Sequence, residues 1–258
     1  MIKSYGLQLK PIESDHYIFG AFTSLPKIIL QPDGQWDDFL PSYEPQSNEN
    51  FDSYGCTVWG TENALETLEK KLTGKEANYS ERFPYILASI RPPGADPHKL
   101  AEVIREHGLV PDFMLPMTLT YAEFTKPDPM EGKYLDEGKK WKQRWKVGHE
   151  WIPTVPDAMK EALKYSPLCV SVTAWEQDSD GLYIDNGQPN THWTVVYGYV
   201  EKDGKTYWKV FDSYDHSLKV LHPDHMIQVC KRYHLEAISQ SKKSFWERLI
   251  SFISKLWK

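Results

Sequence analysis

Cys56, His192 and Asp212 have the residue types, and the settings, that nucleophilic thiol chemistry requires. Cys56 lies at the junction between a turn-rich stretch ending in Gly55 and the helical pattern TVWGTENALETLEKKL. A sulfur there is close to unpaired backbone N–H groups and the positive end of a helix dipole, which favour thiolate and can bring a thiol from ~8.5 down to between ~3.5 and ~7.5. His192 heads the strand-like run of NTHWTVVYGYV, where a sheet edge would hold its ring rigidly. Asp212 ends the next strand-like run, YWKVFDSY, and the intervening Asp203-Gly204 suits a hairpin that returns the carboxylate to the imidazole. A carboxylate accepting one imidazole N–H fixes the tautomer and leaves the other nitrogen to serve the sulfur. Taken singly, Cys56 reads equally as a small buried hydrophobe and His192 as a satisfied core residue.

The elements that must position these groups are legible in outline. Residues 1–35 read as an N-terminal extension of loops and brief strands. Val58, Trp59, Leu65, Leu68 and Leu72 recur at helical spacing from Thr57 onward, with Gly74 just past the end. YSERFPYILASI predicts a short helix stopped by Pro92-Pro93, and HKLAEVIREHG a second one that ends at Gly108. The charged stretch 124–150 predicts a bridge carrying one exposed helix from Leu135 to Trp145. Beyond it, PDAMKEALKYSP predicts a helix after Pro156, and LCVSVTAW, TVVYGYV and YWKVFDSY predict strands. The expected class is α+β, with a helical lobe over about 50–123 carrying the nucleophile, a sheet lobe over about 151–238, and a cleft between them.

These pieces, in this order, resemble the papain and cathepsin family of cysteine peptidases. PQSNENFDSYGCTVW is similar to the family's glutamine loop and the cysteine that opens its central helix. NTHWTVVYGYV resembles its Asn-x-His strand, and YWKVFDSYD the strand ending in Asn-Ser-Trp. AEVIREHGLVPDFMLP and PDAMKEALKYSPLCVSVTAW resemble the segments between. The likeness covers roughly 36 to 235, within an expected catalytic domain of 36–238. It implies a two-lobed papain-like fold and peptide-bond cleavage through an acyl-enzyme on Cys56, without cofactor or metal. It also implies that His192 is the base, Asp212 the orienting group and Tyr214 the ring that shields that pair.

The departures are as informative. Asp212 stands where the family has asparagine, keeping the acceptor and adding a negative charge. The family's oxyanion glutamine precedes its cysteine by six residues, where this chain has Asn50, whereas Gln46 lies ten before. Glu44-Pro45-Gln46 resembles the family's approach to that glutamine, which favours Gln46 on a longer loop, with Asn50 as the alternative. The family's helical-lobe cysteine pairs and its inhibitory pro-segment are not recognisable, which suits a bacterial or phage-type member. Two other readings stand beside the peptidase: a peptidoglycan amidase or endopeptidase with a Cys-His-Asp triad, and a catalytically silent papain-like module. By lobe logic, Trp175, Asp178 and residues 112–118 are expected as cleft walls.

Composition bounds the rest. The chain has 258 residues, 40% of them hydrophobic and 14% aromatic, enough to bury a large core and too apolar for a disordered chain. A net charge of −6 gives no general attraction to phosphate backbones, so no nucleic-acid partner is expected. Cys56, Cys169 and Cys230 form no zinc-type spacing, and a single Cys169–Cys230 bridge is the one pairing left open. His216, His222 and His225 match no metal spacing and read as solvated loop residues. With no signal-like or membrane-spanning run, the expected setting is cytoplasmic, or virion-associated if phage-encoded. The expected partner is a peptide or protein substrate. Residues 239–258 predict a basic amphipathic helix, with Trp246, Leu249, Ile253 and Leu256 opposite Arg248 and Lys255; its apolar face suits docking on protein or in a membrane interface through 243–258.

Overall fold

In a computed structural model, which describes residues 5–14, 16–21, 24–126, 132–214 and 218–238, the apolar helical pattern after Gly55 becomes the centre of the molecule. This helix, α1 (Cys56–Thr73), closes on Gly74, whose left-handed backbone (φ 71°) lets its N–H reach Lys70 O. Every residue from Cys56 to Glu69 is buried. The polar residues between its leucines therefore face protein as well: Tyr79 N–H donates to Glu66 Oε1 at 2.8 Å and Tyr79 Oη to Glu69 Oε2 at 2.6 Å. Burial pushes the carboxyls of Glu62 and Glu66 well above their ordinary range, which favours the neutral acid form of both. Leu72, expected on the apolar face, is 40% exposed.

The chain enters through a short strand β1 (Gly6–Leu7) before reaching α1, and continues through α2 (Arg82–Leu87), β2 (Gly94–Ala95), α3 (Pro97–His107), α4 (Tyr121–Phe124) and α5 (Lys133–Arg144). Asp96 caps α3 by accepting from Lys99 N–H, ahead of Pro97 in the first turn. α5 matches the helix expected in the bridge, but one side of it is core, since Trp141 is 1% exposed. Next come β3 (Trp145–Ile152), α6 (Pro156–Leu163), β4 (Leu168–Val172), β5 (His192–Lys202), β6 (Lys205–Phe211), β7 (Leu218–Val220) and β8 (Cys230–Ala237). The strands β3 to β8 form one antiparallel sheet in the order β3-β8-β4-β5-β6-β7. β3 begins inside the stretch read as a bridge. Its alternating Trp145, Val147, His149 and Trp151 are all buried, a period-2 signal masked by the basic residues beside it.

α1 lies between the sheet and α3, packing on β4, β5 and β8. Gly60 makes this close approach feasible, because a Cβ there would stand 2.9 Å from Trp193 Cδ1 on β5. Cys169 and Cys230 are free, buried thiols on adjacent strands, which removes the bridge the sequence left open. Among the described residues no helix is long and apolar enough to cross a membrane. The amphipathic segment expected over 239–258 lies outside the described residues.

The stretch before α1 is docked on the sheet. Trp36, fully buried, donates its indole N–H to Leu163 O at 2.8 Å. Glu150 and Arg232, opposite each other on β3 and β8, form a fully buried pair at 2.5 Å. The same two side chains hold the early chain, Glu150 accepting from Leu25 N–H at 2.8 Å and Arg232 donating to Leu25 O and Pro26 O at 3.2 and 3.1 Å. Removing one partner leaves a buried charge uncompensated. Glu150→Ala is therefore expected to lower stability by about 3–5 kcal/mol in denaturant unfolding; a loss under ~1 kcal/mol would show that the pair is not held dry in solution.

Candidate active site

Cys56 occupies the first turn of α1, and the residue before it, Gly55, provides no side-chain cap but accepts the Val58 and Trp59 N–H groups on its carbonyl. The backbone N–H groups of Trp193 and Thr57 lie near the sulfur. Both favour thiolate, but burial is the larger influence, and with the nearby Asp212 and Asp52 charges it pushes the Cys56 thiol well above its usual value. This is opposite to the direction expected from a helix N-terminus alone. The physical reason is desolvation, since Cys56 has no exposed surface.

Trp193 follows His192, which opens β5, the strand on which α1 packs. His192 and Asp212 are both 0% exposed, and His192 Nε2 lies 2.5 Å from Asp212 Oδ1. With Nε2 donating to the carboxylate, the neutral ring carries its lone pair on Nδ1, which is buried without a hydrogen-bond partner. The β5–β6 hairpin makes the pairing: Val195 is opposite Phe211, so His192, before Val195, and Asp212, just past Phe211, fall at the same end of the hairpin. Burial alone would raise the Asp212 carboxyl, but the charges and hydrogen bonds of His192 and Lys219 outweigh it and hold it below the usual range. The stability contributed by this ionised carboxylate is accordingly present above the ordinary carboxylate range and lost as pH falls through the lowered value.

Gln46 is fully buried. Its amide nitrogen donates to Tyr5 O at 3.0 Å and Asp52 Oδ1 at 3.2 Å, while its oxygen accepts from Ser213 Oγ at 3.0 Å. Asn50 is exposed at a turn, where its N–H donates to Asn48 Oδ1, away from these contacts. Tyr214 donates its backbone N–H to Asp212 Oδ2 at 3.3 Å, and its ring stands 6.5 Å from that of His192. Trp175 packs edge-on to His192 at 5.5 Å. The Asp178 carboxylate accepts from Asp180 and Leu182 N–H groups and so builds its own turn. Of residues 112–118, Thr118 O meets the glutamine loop through Asn48, whereas Phe113 is 82% exposed.

Two participants carry no sequence signal of the usual kind. Tyr5 lies over the site, its ring 5.3 Å from His192 and 5.0 Å from Tyr214. From there the chain crosses to the helical side: Tyr5 and Leu7 N–H groups both donate to Thr191 O at 3.2 Å, while Gly6 and Leu7 pair in parallel with Gly94 and Ala95. Lys219 is the second, a buried cation 2.8 Å from Asp212 Oδ2. His225, expected to be solvated, is instead buried between Tyr183 O (3.1 Å from Nδ1) and Thr173 Oγ1 (3.4 Å from Nε2), where both ring nitrogens find partners. His222 is partly exposed, and His216 lies outside the described residues. No metal-binding group of three or more ligands occurs among the described residues.

No protein-family model matches the sequence, and a comparison with curated proteins finds no match either. Solved structures do match. The proform of the Amb a 11 cysteine protease, a ragweed pollen allergen, aligns at 15% identity and a TM-score of 0.59 over 78% of this chain, which spans 65% of that proform's length. Bromelain from Ananas comosus, solved with the E64 inhibitor, aligns at 18% identity and a TM-score of 0.57, over 78% of this chain and 98% of its own. Digestive procathepsin L 3 of Tenebrio molitor larval midgut aligns at 14% identity and 0.55, over 86% and 74%. At such identities the likeness is one of architecture, and the mixed helix and antiparallel sheet built around α1 has the fold of the papain-like cysteine proteases.

Proposed function

We propose that the chain is a thiol-dependent peptidase that cleaves peptide bonds through an acyl-enzyme on Cys56. The observation that carries this reading is the imidazole of His192, held by Asp212 through Nε2 with Nδ1 unoccupied, on a strand that packs against the helix whose first turn holds Cys56. In the reaction, Nδ1 takes the thiol proton as sulfur adds to the scissile carbonyl. The Cys56 backbone N–H and the Gln46 amide receive the developing oxyanion, each donor contributing about 2.7–4 kcal/mol in comparable acyl transfers. The imidazolium returns the proton to the leaving amine, and water, deprotonated by the same nitrogen, hydrolyses the thioester. The Gln46 amide is engaged with Tyr5 O in this conformation, so substrate entry requires that Tyr5–Leu7 move aside.

A second reading is favoured by a specific observation. The same burial that raises the Cys56 thiol suits a silent module using the fold for interaction. Hydrolysis of a quenched fluorogenic peptide library under reducing conditions separates the two. The chain should turn peptides over, and iodoacetamide should abolish turnover in step with alkylation mapped to Cys56 by mass spectrometry. Full turnover with Cys56 quantitatively alkylated would refute the acyl-enzyme, and absence of turnover after displacement of Tyr5–Leu7 would favour the module.

A further inference from the structure

The strand β7 reads Leu218-Lys219-Val220, and period-2 alternation would turn its lysine to water. The structure does the reverse: Leu218 is 56% exposed and Lys219 only 3%. Burying an ammonium while exposing a leucine is unfavourable on both counts unless the charge is matched inside.

It is matched at Asp212. Lys219 Nζ donates to Asp212 Oδ2 at 2.8 Å and to Tyr214 O at 2.6 Å. Its charge also stands over the rings of Trp175 and Tyr183, 5.0 and 5.6 Å from their centres. Trp175 in turn packs against His192, so one indole touches both the cation and the imidazole. The two carboxylate oxygens are thereby divided, Oδ1 to His192 and Oδ2 to Lys219 and the Tyr214 N–H. The carboxylate plane is fixed from both sides.

The geometry points to Lys219 as a positioning residue, the counter-ion that makes Asp212 a net-neutral acceptor for His192, in place of an uncharged amide at that position. An unmatched Asp212 anion would over-stabilise imidazolium and hold the proton that Nδ1 must exchange with the Cys56 sulfur. With Lys219 present, the orienting bond is kept and the extra charge is cancelled. The groups packed against His192 are Tyr5 just before β1, Trp175 after β4, and Asp212 and Tyr214 after β6, with Lys219 from β7 behind the carboxylate.

The role rests on the peptidase reading, but its test does not need substrate. The ring Cε1–H signal of His192 can be followed by NMR against pH in full-length protein and identified by its loss in His192→Ala. Lys219→Met should move the His192 midpoint upward by about one pH unit, the size expected for exposing a histidine to an uncancelled adjacent carboxylate. The double variant Lys219→Met/Asp212→Asn, neutral at both positions, should bring it back to the parent value. Asp212→Asn alone leaves the cation unmatched and should move the midpoint the other way. Should Lys219→Met not fold, the comparison of Asp212→Asn with the double variant decides the matter by the same logic. Equal midpoints for parent and Lys219→Met, or for Asp212→Asn and the double, would overturn the counter-ion role. In peptide hydrolysis the acid limb of the pH–rate profile should follow the NMR midpoints. If no variant hydrolyses peptides, the peptidase reading falls while the NMR series still judges Lys219.

Discussion

A Gly6→Val chain should react with iodoacetamide at Cys56 about 10- to 100-fold faster than the parent, the ratio produced when ~1.4–2.7 kcal/mol of strain is placed on the covered state. Gly6 has φ +118°, a region that side chains rarely enter, and a Cβ there would lie 2.2 Å from Tyr54 O and 3.0 Å from Cys56 N. Those neighbours are backbone, so they cannot swing away. Among the bonds that hold the segment are two to Thr191 O, one from Gln46, the Gln8 N–H to Ala95 O, and the short pairing with Gly94 and Ala95. A site whose protection depends on so short a pairing opens locally at less than the global unfolding free energy. Alkylation of a fully buried thiol then tracks the open population. Opening also removes the burial that is the largest cause of the raised Cys56 thiol, which would increase the reactive thiolate further. Thermal unfolding of the same sample distinguishes local release from general damage. A native-like transition with an unchanged alkylation rate would show that Tyr5–Leu7 does not guard the sulfur.

On that uncovered background, His192→Ala should lower kcat/KM by at least ~10³-fold, since general-base assistance alone contributes 10²–10⁴ and thiol activation depends on the same ring. Cys56→Ala should cost at least as much, and the double variant should be no worse than the more damaged single one. Residues acting as one unit show this failure of additivity, because removing either leaves the other with nothing to do. The placement supports a unit: Cys56 in the first turn of α1 and His192 at the head of β5 sit on two packed elements, with His192 Nδ1 buried and unoccupied. Comparison of kcat/KM for parent, both single variants and the double gives the coupling directly. Losses that multiply would mean independent roles and would count against proton transfer between them.

Cys56, His192 and Asp212 could be singled out in the sequence because each is marked by local chemistry. A turn-to-helix junction, the head of a strand and the end of its hairpin partner are events in short windows of sequence, and the order of those windows carried the resemblance to a papain-like fold. The long helix after Gly55 was equally plain. What local patterning misread was burial. α1 has protein on every side, so the polar residues at 62, 63, 66 and 69 looked solvated and are not. The strand at Trp145–Ile152 was hidden in a basic stretch because alternation is weak evidence when the intervening side chains are long and charged.

Three features were decided by tertiary structure alone. That Tyr5–Leu7 lies across the site depends on contacts between chain positions nearly 190 residues apart, for which neither spacing nor composition has a signal. The direction of the Cys56 shift depends on how much water reaches the sulfur; a helix start predicts one sign and complete burial imposes the other. Lys219 lies inside with its charge matched at Asp212, so its place goes with that charge rather than with the pattern of β7. The sequence by itself thus determined which groups could do chemistry and on which elements they sit, since both are matters of residue type and short-range periodicity. The fold determined which of them are dry, covered and paired, since desolvation and charge balance exist only once distant segments meet.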